Sequence, residues 1–118
     1  MGASFKDLIV WQRAVELSTE IYRFTAAFPL SEQFGLMSQM RRASVSIASN
    51  IAEGYGRSTR GEYLQFLGHA RGSNCELQTQ LIISESLGFG TTKSHESVER
   101  LSADVSRLLI ALMNKLKK

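Results

Sequence analysis

Cysteine and proline are almost absent from this chain of 118 residues, which contains one of each. The single cysteine, Cys75, cannot form a disulfide within the chain, which excludes the class of small secreted domains held together by disulfides. No apolar run approaches the roughly 18 residues that a transmembrane helix requires, and no basic segment followed by an apolar one stands at the N-terminus. We therefore expect a soluble protein of the cytoplasm without a membrane-spanning segment.

The sequence also lacks the patterns that carry common catalytic chemistry. Its two histidines, His69 and His95, fall in different predicted helices, and neither a His-Glu-x-x-His nor a Glu-x-x-His motif occurs. No strand-period segment precedes a glycine-rich loop, as nucleotide-binding folds require. We interpret Cys75 as a small, packed, hydrophobic residue. We expect neither an enzyme nor a bound metal or cofactor.

Helix-period hydrophobicity divides the chain into four segments, over residues 7–28, 32–55, 60–87 and 94–117. Pro29 ends the first segment, because proline disfavours helix at the residue before it, and glycines follow the second and third. Thr59 and Glu62 form a capping-box pattern at the start of the third segment. Ser94 is the predicted N-cap of the fourth.

Short connections make sequential helices antiparallel neighbours. The predicted fold is therefore all-α, an up-down-up-down antiparallel four-helix bundle, with residues 1–118 as one domain. The residues predicted to form the inward line of the first helix are Trp11, Val15, Ser18, Tyr22 and Thr25, with Leu8, Ala14, Leu17, Ile21 and Phe28 alongside.

A polar stripe on the second helix is the most distinctive pattern in the chain. Its members recur at steps of three or four residues: Gln39, Arg42, Ser46, Asn50, Glu53 and Arg57. The stripe has no lysine and one glutamate, and it holds side chains that make directional hydrogen bonds. An apolar stripe runs beside it. This combination is typical of a half-buried surface that meets another helix or another subunit.

The third helix carries a matching polar line, made of Glu62, Gln65, His69, Ser73, Glu76 and Gln80. Because the two helices are predicted to be antiparallel, pairs such as Arg42 with Glu76 can form within one subunit or between two. We predict that Arg42, Asn50 and Glu53 stabilise helix or subunit contacts and take no part in an active site.

Small residues form a further line on the third helix, at Gly68, Gly72, Cys75 and Thr79. Glycine inside a helix costs roughly 1 kcal/mol relative to alanine, so two on one face suggest that another backbone approaches closely. One interpretation places this line against the small residues of the second helix, Ala43, Ala48 and Ala52. The alternative is a contact between subunits.

The two ends of the predicted bundle differ in charge. One end collects the start of the first helix, the turn between the second and third, and the C-terminus. Its six cations less three anions give +3: Lys6, Arg57, Arg60, Lys115, Lys117 and Lys118 against Asp7, Glu53 and Glu62. At the other end two cations less four anions give −2: Lys93 and Arg100 against Glu32, Glu85, Glu96 and Glu99. The cations either complement helix dipoles or form a surface for a polyanion.

Several motifs taken together resemble one family. They are Phe5-Lys6-Asp7-Leu8-Ile9-Val10-Trp11-Gln12, Phe28-Pro29, Gly35-Leu36, Gln39, Arg41-Arg42-Ala43, Ser46-Ile47, Asn50-Ile51-Ala52-Glu53-Gly54, Gly72-Ser73, Glu76-Leu77 and Gln80-Leu81. Over residues 5–87 the chain is similar to the four-helix bundle proteins of the 23S rRNA-intervening sequence family of bacteria. The resemblance implies a cyclic homo-oligomer, with five subunits expected. It also implies kinship with accessory proteins of diversity-generating retroelements, which bind nucleic acid and a reverse transcriptase, and it supplies no catalytic residue.

A ring of parallel subunits would place every basic end on one face, so that a modest charge per chain becomes a concentrated positive surface. We therefore expect a non-enzymatic helical oligomer that associates with RNA or DNA through the six cations of that end. The alternative is a scaffold ring that docks a partner protein, and such a scaffold would not depend on these cations.

Overall fold

The computed structural model describes residues 3–118, and four α-helices make up most of that range. They are α1 (Ile9–Thr25), α2 (Leu36–Tyr55), α3 (Arg60–Ser86) and α4 (Thr92–Lys117), with 3₁₀ turns at Phe5–Asp7 and Leu30–Glu32. Residues 3–118 include no strand, and none of their helices combines the length and the apolar composition needed to cross a bilayer. The four predicted segments are confirmed, and the differences lie at their ends.

Each helix packs beside its neighbours in the chain, and α4 closes the bundle by packing against α1. Side-chain hydrogen bonds join the successive helices: Ser18 with Ser44, Ser46 with Ser73, and Ser102 with Asn74. The predicted up-down-up-down bundle is confirmed. It is a rod of 44 × 24 × 22 Å, and the start of α1, the α2–α3 turn and the end of α4 share one end of it.

The core receives apolar side chains from all four helices. Its fully buried members are Ala14, Leu17, Ile21, Met40, Ile47, Ile51, Leu67, Ala70, Leu77, Val105 and Leu109. The inward line predicted for α1 is wrong at Val15 and Tyr22, which are exposed, and right at Thr25, which is buried. The neighbouring line through Ala14, Leu17 and Ile21 fills the core.

Capping side chains explain where α3 and α4 begin. Thr59 is the N-cap of α3 as predicted, and its hydroxyl oxygen accepts a hydrogen bond from the Glu62 amide at 3.1 Å. The N-cap predicted for α4 is wrong: Thr91 occupies that position, and Ser94 is its partner in a reciprocal capping box. The first helix ends at Thr25, three residues before the predicted end, and its C-cap is Ala26, whose amide donates to the Tyr22 carbonyl at 3.2 Å.

The start of α2 and the end of α3 depend on local turn chemistry. Helix α2 begins four residues later than predicted, because Leu30–Glu32 form a separate turn and the Glu32 carboxylate accepts from the Leu36 amide at 3.1 Å. After α3, Gly88 and Gly90 adopt φ values of +78° and +76°. These are left-handed conformations that glycine tolerates, so the pair reverses the chain into α4.

Candidate functional site

The polar stripe of α2 lies at the boundary between α2 and α3. The Asn50 Nδ2 donates to the Ser46 carbonyl at 2.8 Å and to the Ser46 Oγ at 3.0 Å. Across the boundary, the Ser73 Oγ donates to the same Ser46 Oγ at 3.0 Å. All three residues are half-buried. This set, which we term the α2–α3 bridge, places Ser46, Asn50 and Ser73 at a helix contact within one subunit.

Next to this bridge the two helices border an open groove of about 310 Å³. Its lining residues are Gln39, Arg42, Ala43, Ser46, Ser73 and Glu76. Arg42 and Glu76 are exposed and face the same groove, yet no ion pair joins them within residues 3–118. The predicted Arg42–Glu76 pair is therefore wrong for a single subunit, and a pair between subunits stays a prediction.

The other members of the two polar lines are divided between surface and core. Glu53 is exposed and pairs with Arg57, which lies just beyond the end of α2, at 2.7 Å. His69 is exposed and packs edge-on against Phe66, with ring centres 5.7 Å apart. Gln80 is buried, and its Oε1 has no hydrogen-bond partner within residues 3–118. Gln80 therefore lies among the helices of its own subunit and is not available at the surface.

The line of small residues on α3 faces outward. A methyl group built on Gly68 or Gly72 would meet no atom within 4 Å, and Cys75 and Thr79 are exposed. The predicted packing of this line against α2 is therefore wrong, as is the interpretation of Cys75 as a packed residue. The close approach of α2 and α3 occurs at Gly54 instead, where a methyl group would lie 2.7 Å from the Phe66 Cβ.

One end of the rod carries the six cations that the sequence assigned to it. Lys6, Arg57, Arg60, Lys115, Lys117 and Lys118 are all exposed. Arg60 donates to the backbone oxygen of Lys118 at 3.1 Å, which ties the start of α3 to the end of α4. The structure thus brings the turn and the C-terminus together, and we term this region the basic end.

Groups of the chain itself engage the three acids of the basic end. The Asp7 carboxylate accepts from the Ser4 amide at 3.0 Å, and Glu62 accepts from the Thr59 hydroxyl at 3.1 Å. Glu53 is in the ion pair described above. Across residues 3–118, by contrast, no ion pair involves any of the four lysines of this end: Lys6, Lys115, Lys117 and Lys118. The basic end therefore presents free ammonium groups to solvent.

Two tyrosines close the core beneath the basic end. Tyr55 is half-buried and packs edge-on against Tyr63, with ring centres 6.0 Å apart. The Tyr63 hydroxyl is buried and has no hydrogen-bond partner among the described residues. Burial raises the pKa of Tyr63 above its usual value of 10.0, and Tyr55 adds to the effect. Tyr55 therefore packs against Tyr63 at this end of the core.

Arg41 has a structural role that the sequence reasoning missed. Its Nε donates to the Thr25 Oγ1 at 2.9 Å, and its Nη2 donates to the Tyr22 carbonyl at 3.2 Å. The guanidinium also lies over the Tyr22 ring, 4.6 Å from its centre. A cation bonded to the last turn of α1 complements the negative end of the helix dipole.

A buried polar pair between α3 and α4 was also missed. The Ser102 Oγ donates to the Asn74 Oδ1 at 2.7 Å, and the Asn74 Nδ2 donates to the Ser102 carbonyl at 3.0 Å. We term this pair the α3–α4 bridge. The signal was present in the sequence, because Asn74 stands at core spacing between Ala70 and Leu77.

The second histidine, His95, secures the α3–α4 turn. Its buried ring contacts the Phe89 carbonyl through Nε2 at 2.8 Å and packs edge-on against Phe24. Within residues 3–118, no three His, Cys, Asp or Glu side chains are grouped so that they could hold a metal ion.

Comparisons with known proteins agree with this architecture. The sequence model of a family described as 23S rRNA-intervening sequence protein matches residues 6–111. The crystal structure of a protein of unknown function from the S23 ribosomal protein family of Bacteroides thetaiotaomicron is similar, with a TM-score of 0.80 and 23% identity. That likeness covers 89% of this chain and 98% of the other, and it shows the fold. No curated protein matches this chain at a significant level.

Proposed function

We propose, since the chain belongs to the 23S rRNA-intervening sequence protein family, that it is a non-enzymatic helical oligomer that associates with RNA through its basic end. The observation that carries this proposal is the charge arrangement there. Three acids are engaged locally, while Lys6, Lys115, Lys117 and Lys118 form no ion pair within residues 3–118. Exposed ammonium groups suit phosphate oxygens, because their binding releases counterions from the nucleic acid.

Oligomerisation would combine the modest positive charges of several chains into a surface that attracts RNA. The basic end of a single subunit has six cations less three anions, or +3, which supports only weak attraction at physiological salt. In a cyclic assembly of parallel subunits, with five expected, the basic ends would lie on one face and would contact one RNA together. Kinship with the accessory proteins of diversity-generating retroelements is part of the same proposal, because those bundles also bind nucleic acid.

The test measures binding of a fluorescent single-stranded RNA at several salt concentrations. Wild-type affinity should fall steeply with salt, and each phosphate contact that is removed should lower the slope of log K against log salt by about 0.7. A triple variant with Lys115→Glu, Lys117→Glu and Lys118→Glu should bind at least about tenfold more weakly and with a smaller slope.

A matched triple variant controls for total charge. Lys93→Glu, Arg71→Glu and Arg100→Glu change the net charge by the same amount but lie outside the basic end, so this variant should keep most of the affinity. Equal weakening by both triples would mean that RNA responds only to overall charge. Unchanged binding by the lysine triple would contradict the proposal and would favour the scaffold that docks a partner protein.

A further inference from the structure

An aromatic pair lies at the basic end, where the chain enters α1. Phe5 and Trp11 pack edge to face, with ring centres 5.2 Å apart and ring planes at 72°. Trp11 packs against the core, whereas Phe5 belongs to the 3₁₀ turn Phe5–Asp7, which contains no buried residue. Both rings are half-buried, and an edge-to-face contact leaves at least one face of each ring uncovered by its partner. Aromatic surface therefore remains available at the basic end.

Polar contacts hold this turn in one conformation. The Ser4 Oγ accepts from the Lys6 amide at 3.1 Å, and the Asp7 carboxylate accepts from the Ser4 amide at 3.0 Å. The Gln12 Nε2 of α1 donates to the Lys6 carbonyl at 2.9 Å. The turn also contacts both α1 and α2. A side chain on such a backbone loses little conformational freedom when it contacts a ligand, so Phe5 is preorganised for binding.

The charges of the turn suit an anionic ligand. Lys6 follows Phe5 directly, is exposed and forms no ion pair within residues 3–118. The acid of the turn, Asp7, is engaged by the Ser4 amide. Proteins that bind single-stranded nucleic acid place aromatic rings, on which bases stack, beside cations that contact the phosphates. Phe5 and Lys6 supply these two groups at consecutive positions of the chain.

We propose that Phe5 stacks against an unpaired base of the RNA, while Lys6 contacts a neighbouring phosphate. This inference rests on the proposed function, and it specifies which form of RNA the basic end takes. The ligand is a single-stranded or looped segment, because the bases of a duplex are stacked on one another and are not available to a side chain. Every base has an aromatic face, so the contact tolerates different sequences.

The test measures binding of a fluorescent single-stranded RNA by Phe5→Leu at several salt concentrations. Leucine keeps an apolar side chain on the turn but has no aromatic face. The affinity should fall about tenfold, while the slope of log K against log salt stays at the wild-type value because no phosphate contact is removed. Lys6→Gln should behave differently and lower that slope by about 0.7. The two variants thus separate stacking from charge.

An abasic oligonucleotide of the same length is the matched probe, because it carries the phosphates without the bases. Phe5→Leu should bind it as tightly as the wild type does. Phe34→Leu makes the same substitution at a ring that is 89% exposed but lies outside the basic end, and it should keep the wild-type affinity for RNA. Trp11 is the one tryptophan of the chain, so its emission should be quenched by the RNA and not by the abasic probe.

Three results would overturn the stacking contact: unchanged RNA affinity in Phe5→Leu, equal weakening of that variant on both probes, or equal weakening in Phe34→Leu. Each of these leaves RNA binding by the wild type intact, so the proposed function would stand. A wild type that binds neither the RNA nor the abasic probe would instead contradict the proposed function itself.

Discussion

Two polar bridges flank α3, and they differ mainly in their access to water. In the α3–α4 bridge, Asn74 and Ser102 bond to each other inside the core and are 1% and 0% exposed. In the α2–α3 bridge, Ser46, Asn50 and Ser73 are half-buried beside an open groove. The side chains are of the same types, and the hydrogen bonds are of similar length. Loss of such a bond therefore lowers stability mainly where it leaves a buried group unpaired, because water can replace a lost partner only at the open boundary.

The same difference in access to water indicates which of the two boundaries stabilises the subunit and which can meet a partner. The α3–α4 bridge has its polar atoms in bonds within the subunit, so it specifies how two helices align. The α2–α3 boundary leaves Arg42 and Glu76 exposed without an ion pair in residues 3–118. A surface that meets a partner is therefore expected at the open boundary and not at the buried one.

The largest predicted effect is on the α3–α4 bridge. Asn74→Ala should lower the free energy of unfolding by about 3 kcal/mol, because it leaves the buried Ser102 hydroxyl without its partner, removes the second hydrogen bond of the Ser102 carbonyl and opens a small cavity. Asn50→Ala is the control at the open bridge and should cost below about 1 kcal/mol, because water reaches its partners. Urea unfolding of the two variants gives both values, and equal losses would remove the distinction between the bridges.

The next effect concerns how closely α2 and α3 approach. Gly54→Ala should cost about 2 kcal/mol, because the added methyl group would lie 2.7 Å from the Phe66 Cβ. Gly68→Ala adds the same group where no atom lies within 4 Å, and it should raise stability by about 0.5–1 kcal/mol. Thermal melts of the two variants should shift in opposite directions. A shift of the same sign in both would contradict the placement of the contact at Gly54.

Replacing serine by alanine makes the same chemical change in both bridges, so the two losses of stability can be compared directly. Ser102→Ala should cost about 1.5 kcal/mol, because the buried Asn74 oxygen loses its donor. Ser73→Ala should cost under about 0.5 kcal/mol, because the Ser46 hydroxyl remains near water. Chemical unfolding measures both, and a double-mutant cycle of Asn74 with Ser102 should show coupling that a cycle of Ser46 with Ser73 lacks.

The smallest effect is expected at Tyr63. Because its pKa is raised in the folded state by burial and by Tyr55, the folded chain holds the phenol proton more tightly than the unfolded chain does. The stability that this provides is complete below pH 10.0, the unfolded value, and it is lost as the pH rises through the folded pKa. Tyr63→Phe should therefore be at least as stable as wild type near neutral pH and lose less stability above pH 10.0. Melting temperatures across that range test this, and parallel curves for both proteins would contradict it.

The fold was predictable because hydrophobic periodicity alone specifies four helices and short turns specify their order. The inward face of α1 was not, because two adjacent lines of that helix both contain large side chains. Val15 and Tyr22 are apolar enough to be read as core, and only packing against α2 and α4 places Ala14 and Leu17 inside instead. A sequence pattern fixes the period of a helix more firmly than its rotation about its axis.

The candidate sites, like the fold, were predicted correctly in some features and wrongly in others. The polar stripe correctly indicated the α2–α3 boundary, because Ser46 belongs to the regularly spaced polar residues of α2 and Ser73 belongs to those of α3. The Arg42–Glu76 pair was wrong within a subunit, because a shared level on two helices does not bring two flexible side chains together. Gly68 and Gly72 misled for a related reason: glycine signals that a backbone could approach, but the sequence does not say whether one does.

Absolute mass by light scattering, at low and at high salt, tests most directly whether the chain works as a multimer with a shared basic face. We predict a multimer near five times 13.1 kDa that persists in high salt, because salt screens ion pairs but does not weaken apolar contacts. A mass of 13.1 kDa at both salt concentrations would contradict this, since a single subunit would then meet RNA with one weakly charged basic end.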